Sequence, residues 1–177
     1  MKKLFIHYSI TTGVFFLFFS LVAFSQFNVT TFKPWNGYAI PNGVWVTGDF
    51  NADGKTDIFH GVQNSDYAHV WTSSGNGNYA VTTFRPWPGY AIPNGQWITG
   101  DFNGDKRTDI LHVVNNADYV HIWMSNGNGT FAVSTFRPWA GYAIPNGVWK
   151  TGDFNNDGKT DILHAVQGAD YVHTWFS

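Results

Sequence analysis

From residue 44 onward the chain alternates apolar and polar residues in short runs, separated by clusters of Gly, Asn, Pro and Asp. The run "VWVTGDF" (44–50) is followed, after an acidic turn, by "DIFHGVQ" (57–63). A turn at 64–66 leads into "YAHVWTS" (67–73), and the Gly/Asn stretch "SGNGN" leads into "YAVTTFRPW" (79–87). Thr, Val, Trp, Tyr and Phe fill these runs, the residue types that suit a pleated, half-buried surface. No segment sustains a helical period. Each run is therefore expected to be a short antiparallel strand bounded by turns.

The pattern repeats every 52 residues: Phe32, Phe84 and Phe136 are so spaced, as are Trp35, Trp87 and Trp139. Residues 79–125 and 131–177 align without a gap, with 34 of 47 positions identical, which makes this a duplication within one chain. Units of four short strands at this period describe propeller blades. The expected fold is all-β: a propeller-type array of three four-stranded antiparallel blades, with units starting near residues 44, 96 and 148. A run of the fourth type, "FNVTTFKPW" (27–35), comes before the first unit, and the third unit runs to a third-type strand, "YVHTWFS" (171–177). Each end thus offers what the other lacks. Known propellers have roughly 4 to 8 blades, so three blades make about half a ring. Two outcomes are open: a homodimer that closes six blades, or an array that continues in a longer chain.

Residues 1–25 are set apart by Lys2 and Lys3, an apolar run densest at 13–24, and the small residues Ala23 and Ser25. They read as a secretory signal cut before Gln26, so the mature chain (26–177) is expected to be secreted. An apolar run of about a dozen residues is short for a span of roughly 20. Without Lys2 and Lys3, eight basic residues face twelve acidic ones. No basic stripe is available to displace phosphate counterions, which argues against nucleic acid. An exported chain without cysteine must find stability in packing, bound metal or both.

The charge is unevenly placed. The chain has no glutamate, and nine of its twelve aspartates lie in three copies of one loop: "DFNADGKTDI" (49–58), "DFNGDKRTDI" (101–110) and "DFNNDGKTDI" (153–162). Read as ligand positions, the first copy puts Asp49 at 1, Asn51 at 3, Asp53 at 5, the Lys55 carbonyl at 7 and Asp57 at 9, with Gly54 at the sharp turn. The later copies place Asp101, Asn103, Asp105, Arg107 and Asp109, and then Asp153, Asn155, Asp157, Lys159 and Asp161, at the same positions. An all-oxygen set of this size suits Ca²⁺ and fits poorly with Zn²⁺. Position 12, where an EF-hand carries Glu, is His60, His112 or His164, and a strand follows. An Asx-rich turn without metal is the plainer alternative.

The stretch "GDFNADGKTDI" (48–58) after a Trp-bearing strand resembles the FG-GAP or VCBS-type repeat of integrin-like β-propellers, whose loops bind calcium. The resemblance covers essentially the whole mature chain. It implies that the Asp and Asn side chains of all three loops are calcium ligands, in a structural role. The middle copy departs from the motif, because Lys106 replaces the glycine at position 6. Left-handed backbone there costs a non-glycine residue about 1–2 kcal/mol, so the middle site is expected to be the weakest.

A second constellation recurs as Y-x-H-x-W: Tyr67, His69 and Trp71; Tyr119, His121 and Trp123; Tyr171, His173 and Trp175. Alternation sends each trio to one face of its strand. Loops between units add Trp35 and Tyr38, Trp87 and Tyr90, and Trp139 and Tyr142. Sugar rings stack on Trp and Tyr while His, Asn and Asp bond their hydroxyls, so these residues are candidate carbohydrate contacts; inter-blade core is the competing role. Zinc held by paired histidines is a third reading. The resemblance extends to fungal and bacterial propeller lectins, which bind monosaccharides between blades. It implies a calcium-stabilised lectin with weak, repeated sites. The alternative is a scaffold for adhesion or protein binding. Catalysis is not expected, since no nucleophile elbow or acid–base pair stands outside the loops.

Overall fold

The β-branched and aromatic runs form the strands of the computed structural model, which describes residues 27–89 and 91–177. The first sheet comprises β1 (Gly43–Gly48), β2 (Asp57–Val62), β3 (Ala68–Ser73) and β4 (Tyr79–Phe84). The second comprises β5 (Gly95–Gly100), β6 (Asp109–Val114), β7 (Val120–Ser125) and β8 (Phe131–Phe136). The third holds β9 (Gly147–Gly152), β10 (Asp161–Val166) and β11 (Val172–Trp175). Each sheet is an antiparallel meander in sequence order. β1 touches β5 and β5 touches β9, so the first strands line one side of an unclosed, propeller-like arc.

Adjacent sheets are joined by polar clasps and by apolar packing. The Asp49 N–H donates to Thr108 Oγ1 at 2.9 Å, and the Thr108 N–H donates to the Asp49 carbonyl at 2.7 Å. Asp101 and Thr160 repeat both bonds at 3.0 and 2.7 Å. Between the first two sheets Phe50, Phe59, Val70, Ile110, Trp123 and Phe131 pack together; Phe102, Leu111, Val120, Ile144 and Ile162 do so between the second and third. Burial of each such side chain contributes about 1.5–3 kcal/mol. This packing ties each blade to the next.

The third sheet holds three strands, ending at the third-type strand that the sequence places there. Residues 27–35 pair with no strand edge; they lie across the face of the first sheet instead, with Phe32 edge-on to Trp71 and Tyr79 at 5.9 and 5.5 Å. A strand exists only where a neighbouring edge takes its N–H and C=O groups, and the first sheet already has four strands. The leader (1–25) and Tyr90 lie outside the described residues.

Candidate functional sites

Each acidic loop connects the first two strands of its sheet. In the first copy Asp49 Oδ1 and Asn51 Oδ1 both accept the Asp53 N–H at 3.0 Å, and Asp49 Oδ2 accepts the Gly54 N–H at 2.8 Å. The oxygens at positions 1 and 3 therefore converge on one donor. The Asp105 N–H (3.1 and 2.9 Å) and the Asp157 N–H (3.1 and 3.0 Å) are shared in the same way. At position 5, Asp53 Oδ2 holds the Lys55 ammonium at 2.9 Å, and this bond is the main cause of its lowered pKa. Asp105 pairs with Arg107, and Asp157 with Lys159 at 3.9 Å.

Position 9 is different. Asp57, Asp109 and Asp161 are fully buried. Asp109 Oδ2 accepts the Phe102 N–H at 3.1 Å and Oδ1 the Ser125 N–H at 2.8 Å, so one carboxylate ties the loop to the far end of β7. Asp57 does the same for Phe50 and Ser73, and Asp161 for Phe154 and Ser177. Burial raises the Asp57 pKa and pushes that of Asp109 up to about 6; the Ser177 N–H lowers that of Asp161.

The donor set, carboxylate and amide oxygen throughout, fits a hard divalent cation in kind. Asp49, Asn51 and Asp53 would hold it in the first loop, and a bound ion would pin the turn between β1 and β2. Among the described residues no three acidic or imidazole side chains are already grouped as a metal centre would hold them. Lys55 and its counterparts occupy the outer oxygen of position 5, so a cation entering the loop must displace them. Lys106 has φ +71°, against +80° for Gly54 and +86° for Gly158. Replacing it with glycine relieves about 1–2 kcal/mol of left-handed strain and gives back roughly 0.5–1 through unfolded-chain entropy. Lys106→Gly is therefore expected to raise the melting temperature by about 1–4 °C, which differential scanning calorimetry would register.

The histidines at position 12 form a buried ladder. His60 lies opposite Trp45 and His69 in the strand register, and its ring stacks on Trp45 at 3.8 Å and 9°. Trp97 on His112 and Trp149 on His164 repeat the stack at 3.9 and 3.8 Å. The ring packs so closely that a Cβ at Gly95 would stand 2.6 Å from His112 Nε2. Desolvation lowers the pKa of His60 to about 4 and that of His112 to about 3, with His69 and His121 adding repulsion.

The loop aromatics gather over the histidine of each third strand. Trp35 and Tyr38 have ring centroids 4.1 Å apart and lie 5.7 and 5.8 Å from His69, with Tyr67 at 5.2 Å on the other side. Trp87 and Tyr119 flank His121 at 4.8 and 5.1 Å, and Trp139 and Tyr171 flank His173 at 4.5 and 5.1 Å. In the third copy Trp139, Tyr142, Pro145, Tyr171 and His173 line an open cavity of about 430 Å³, between a loop from one blade and a strand of the next. Tyr142 is 76 % exposed. Trp71 and Trp123 must be corrected: both are buried rather than presented to a ligand, Trp123 in the packing between the first two sheets and Trp71 among Phe32, Trp45 and Tyr79. Trp175 lies at the equivalent place in the third sheet, half-buried against Trp149.

Sequence reading missed Asp66, Asp118, Arg85 and Arg137. Asp66 accepts the Gly89 N–H at 2.9 Å and lies 3.4 Å from Arg85, whose guanidinium sits 5.4 Å above the Tyr67 ring. Asp118, Gly141, Arg137 and Tyr119 repeat the arrangement. The signal was available, since the three aspartates outside the acidic loops each precede the tyrosine of a Y-x-H-x-W trio.

Repeated antiparallel blades, each with an acidic turn between its first two strands, define a propeller-type repeat protein. The model of the FG-GAP-like repeat matches residues 49–112 and 101–164, and the chain belongs to that family. No curated protein matches it. Among solved structures it is similar to a lectin of Agrocybe aegerita, described as recognising non-reducing terminal N-acetylglucosamine, with a TM-score of 0.54 and 21 % identity over 72 % of this chain. It is also similar to the Photorhabdus luminescens Tc holotoxin pore, with a TM-score of 0.58 and 17 % identity over 77 % of this chain. The matches span 33 % of the lectin chain and 6 % of the toxin chain. At these identities the likeness concerns the fold.

Proposed function

We propose that this protein is a secreted carbohydrate-binding propeller, non-catalytic, whose acidic loops take up calcium for stability. The observation that carries the reading is the recurring aromatic cluster: Trp35 with Tyr38, Trp87, and Trp139 with Tyr142, each over the histidine of a third strand and the tyrosine just before that strand. In the third copy an open cavity with aromatic walls offers stacking faces to a sugar ring, while His173 and the Tyr171 hydroxyl can bond its hydroxyls; His69 and His121 are buried beneath their aromatics and leave the rings above them as the contact surface. Trp123 is buried between blades and Trp71 beneath segment 27–35, and the loop residues are the ones left to meet a ligand. The lectin likeness supports this use of the fold, and the apolar leader sequence supports export. Several shallow sites on one body give strength through simultaneous engagement rather than through any single contact.

A glycan array probed with mature protein tests the proposal. Retention of one sugar class, lost in the Trp35→Ala, Trp87→Ala, Trp139→Ala triple variant, is expected. Binding to no glycan by folded protein would turn the reading toward a protein-binding scaffold. For the loops, millimolar calcium is expected to raise the melting temperature by several degrees over excess chelator, with a smaller response in a variant that keeps only the middle loop. Identical melting in the two buffers would remove calcium from the account.

A further inference from the structure

Most places of the first core recur one period later in the second, but those of Phe131 and Val133 have no counterpart there. In the first, the Phe131 ring packs on Phe50, Phe59, Phe84 and Trp123 at 5.7, 5.7, 5.7 and 6.1 Å, and Val133 lies beside it. One repeat later, the residues around that place are Phe102, Leu111, Phe136 and Trp175, and they line an apolar cavity of about 280 Å³. The 52-residue period assigns the missing pair, Phe and Val, to Phe27 and Val29. These are 95 % and 86 % exposed. The face of the third sheet beyond β11 is equally bare: Val172 is 54 % exposed, whereas its counterpart Val120, packed with Ile144 and Ile162 toward the next sheet, is 0 % exposed.

Polar groups show the same complementarity. Asp66 and Asp118 each hold an arginine and a glycine N–H from the strand and loop that follow, and a Thr–His bond of 3.1 Å joins His69 to Thr83 and His121 to Thr135. The third set would be Asp170, His173 and Tyr171, and the period gives their partners as Lys33 and Gly37, Thr31, and Lys33 above the ring. Among the described residues neither Asp170 nor Lys33 has an ion pair. Segment 27–35 also lies against the first sheet as β4 lies against the second: Phe32 meets Trp71 and Tyr79 as Phe84 meets Trp123 and Phe131. It occupies the place of the outer strand of a preceding blade.

We propose that two copies of the chain close one ring by exchanging this segment, residues 27–35 of each adding a fourth strand to β11 of the other. The register of β7 with β8 carries over, setting Phe27 opposite Ser177, Val29 opposite Trp175 and Thr31 opposite His173. Phe27 and Val29 of the second copy fill the apolar cavity, and Lys33 covers Tyr171 and meets Asp170. Strand addition supplies main-chain hydrogen bonds to an otherwise open edge. The occupant is a second copy because the sequence that fits stands unpaired in this chain itself. Three blades from each of two chains stay within the roughly 4 to 8 that propellers use, and a two-fold axis makes both exchanges equivalent. The third aromatic cavity is thereby completed by the partner, as Arg85 and Arg137 complete the other two.

Light scattering on residues 26–177 reads the mass, and a cysteine pair reads the register. Wild type is expected at twice the mass of one chain. The Phe27→Asp, Val29→Asp variant is expected at the mass of one chain with an unchanged far-ultraviolet circular dichroism spectrum, since both side chains are exposed within a chain. Thr30→Cys with Thr174→Cys, in a protein without other cysteines, is expected to form a disulfide between chains under oxidation. Wild type at the mass of one chain, or of three or more, overturns the proposal and leaves the edge to a further repeat of a longer polypeptide. A dimer that survives the double variant, or a cysteine pair that does not cross-link, also overturns it. No readout involves a sugar, so this inference and the carbohydrate reading fail separately.

Discussion

Lowering the pH from 7 to 4 is expected to lower the protein's melting temperature steeply. His112 is buried against Trp97, and its pKa falls from the usual 6.5 to about 3, chiefly because burial disfavours the charged ring. Below pH ~6.5 the unfolded chain binds a proton there that the folded chain does not, so stability is complete above that value and declines as the pH falls. Each pH unit in this window removes about 1.4 kcal/mol for such a residue. His60, with a pKa of about 4, and His69, His121 and His164, all lowered mainly by burial, act in the same direction. Asp57 and Asp109 oppose it, because their raised pKa values favour the folded state as they protonate. His112 and His60, less the opposing Asp109, leave a net loss of a few kcal/mol by pH 4, a large share of the roughly 5–15 kcal/mol that holds a domain folded. Circular dichroism melts between pH 7 and pH 4 are expected to show a steadily falling midpoint, with a shallower slope in His112→Phe. A midpoint that does not move across that range would contradict the buried neutral ladder.

The second large effect belongs to Asp109. Its two oxygens satisfy the Phe102 and Ser125 amides inside the central blade, and Ser125 Oγ in turn donates to the Phe50 carbonyl at 2.6 Å across the blade junction. Asp109→Ala leaves two buried N–H groups without acceptors, at about 1–3 kcal/mol each. A loss of about 2–6 kcal/mol is therefore expected in urea unfolding, partly offset above pH ~6 because the wild-type carboxyl gives up some stability by ionising in a buried place. Asp161→Ala should cost less, because its partner Ser177 is exposed. Equal costs at the two positions would contradict the account of these carboxylates as struts whose worth depends on the burial of the amides they hold.

Much of this was legible in the sequence, for identifiable reasons. A period of 52 fixes blade spacing because each blade must offer the next the same surface, and alternation of side chains fixes which residues share a face. The proximity of His60 to His69 followed from a tight turn between their strands. The left-handed backbone at Lys106 followed from the glycines at the same position in the other loops. What could not be read was the division of labour within one repeated motif. Trp123 and Trp87 are both tryptophans near a histidine, yet one faces the next blade and the other lies in a loop, a difference decided by blade-to-blade packing. Position 9 of the acidic loop likewise reads as a ligand from spacing alone, and only the fold shows its carboxylate turned onto two backbone amides. The segment 27–35 has the composition of a strand without an edge to join.

The claim on which the functional account rests is that the loop tryptophans form sugar platforms. Titrating mature protein with the monosaccharide of the retained glycan class, and following tryptophan emission, tests it most directly. A saturable change in wild type that disappears in the Trp35→Ala, Trp87→Ala, Trp139→Ala variant is the result expected. An identical titration curve in that variant, or no change in wild type at saturating sugar, would contradict it.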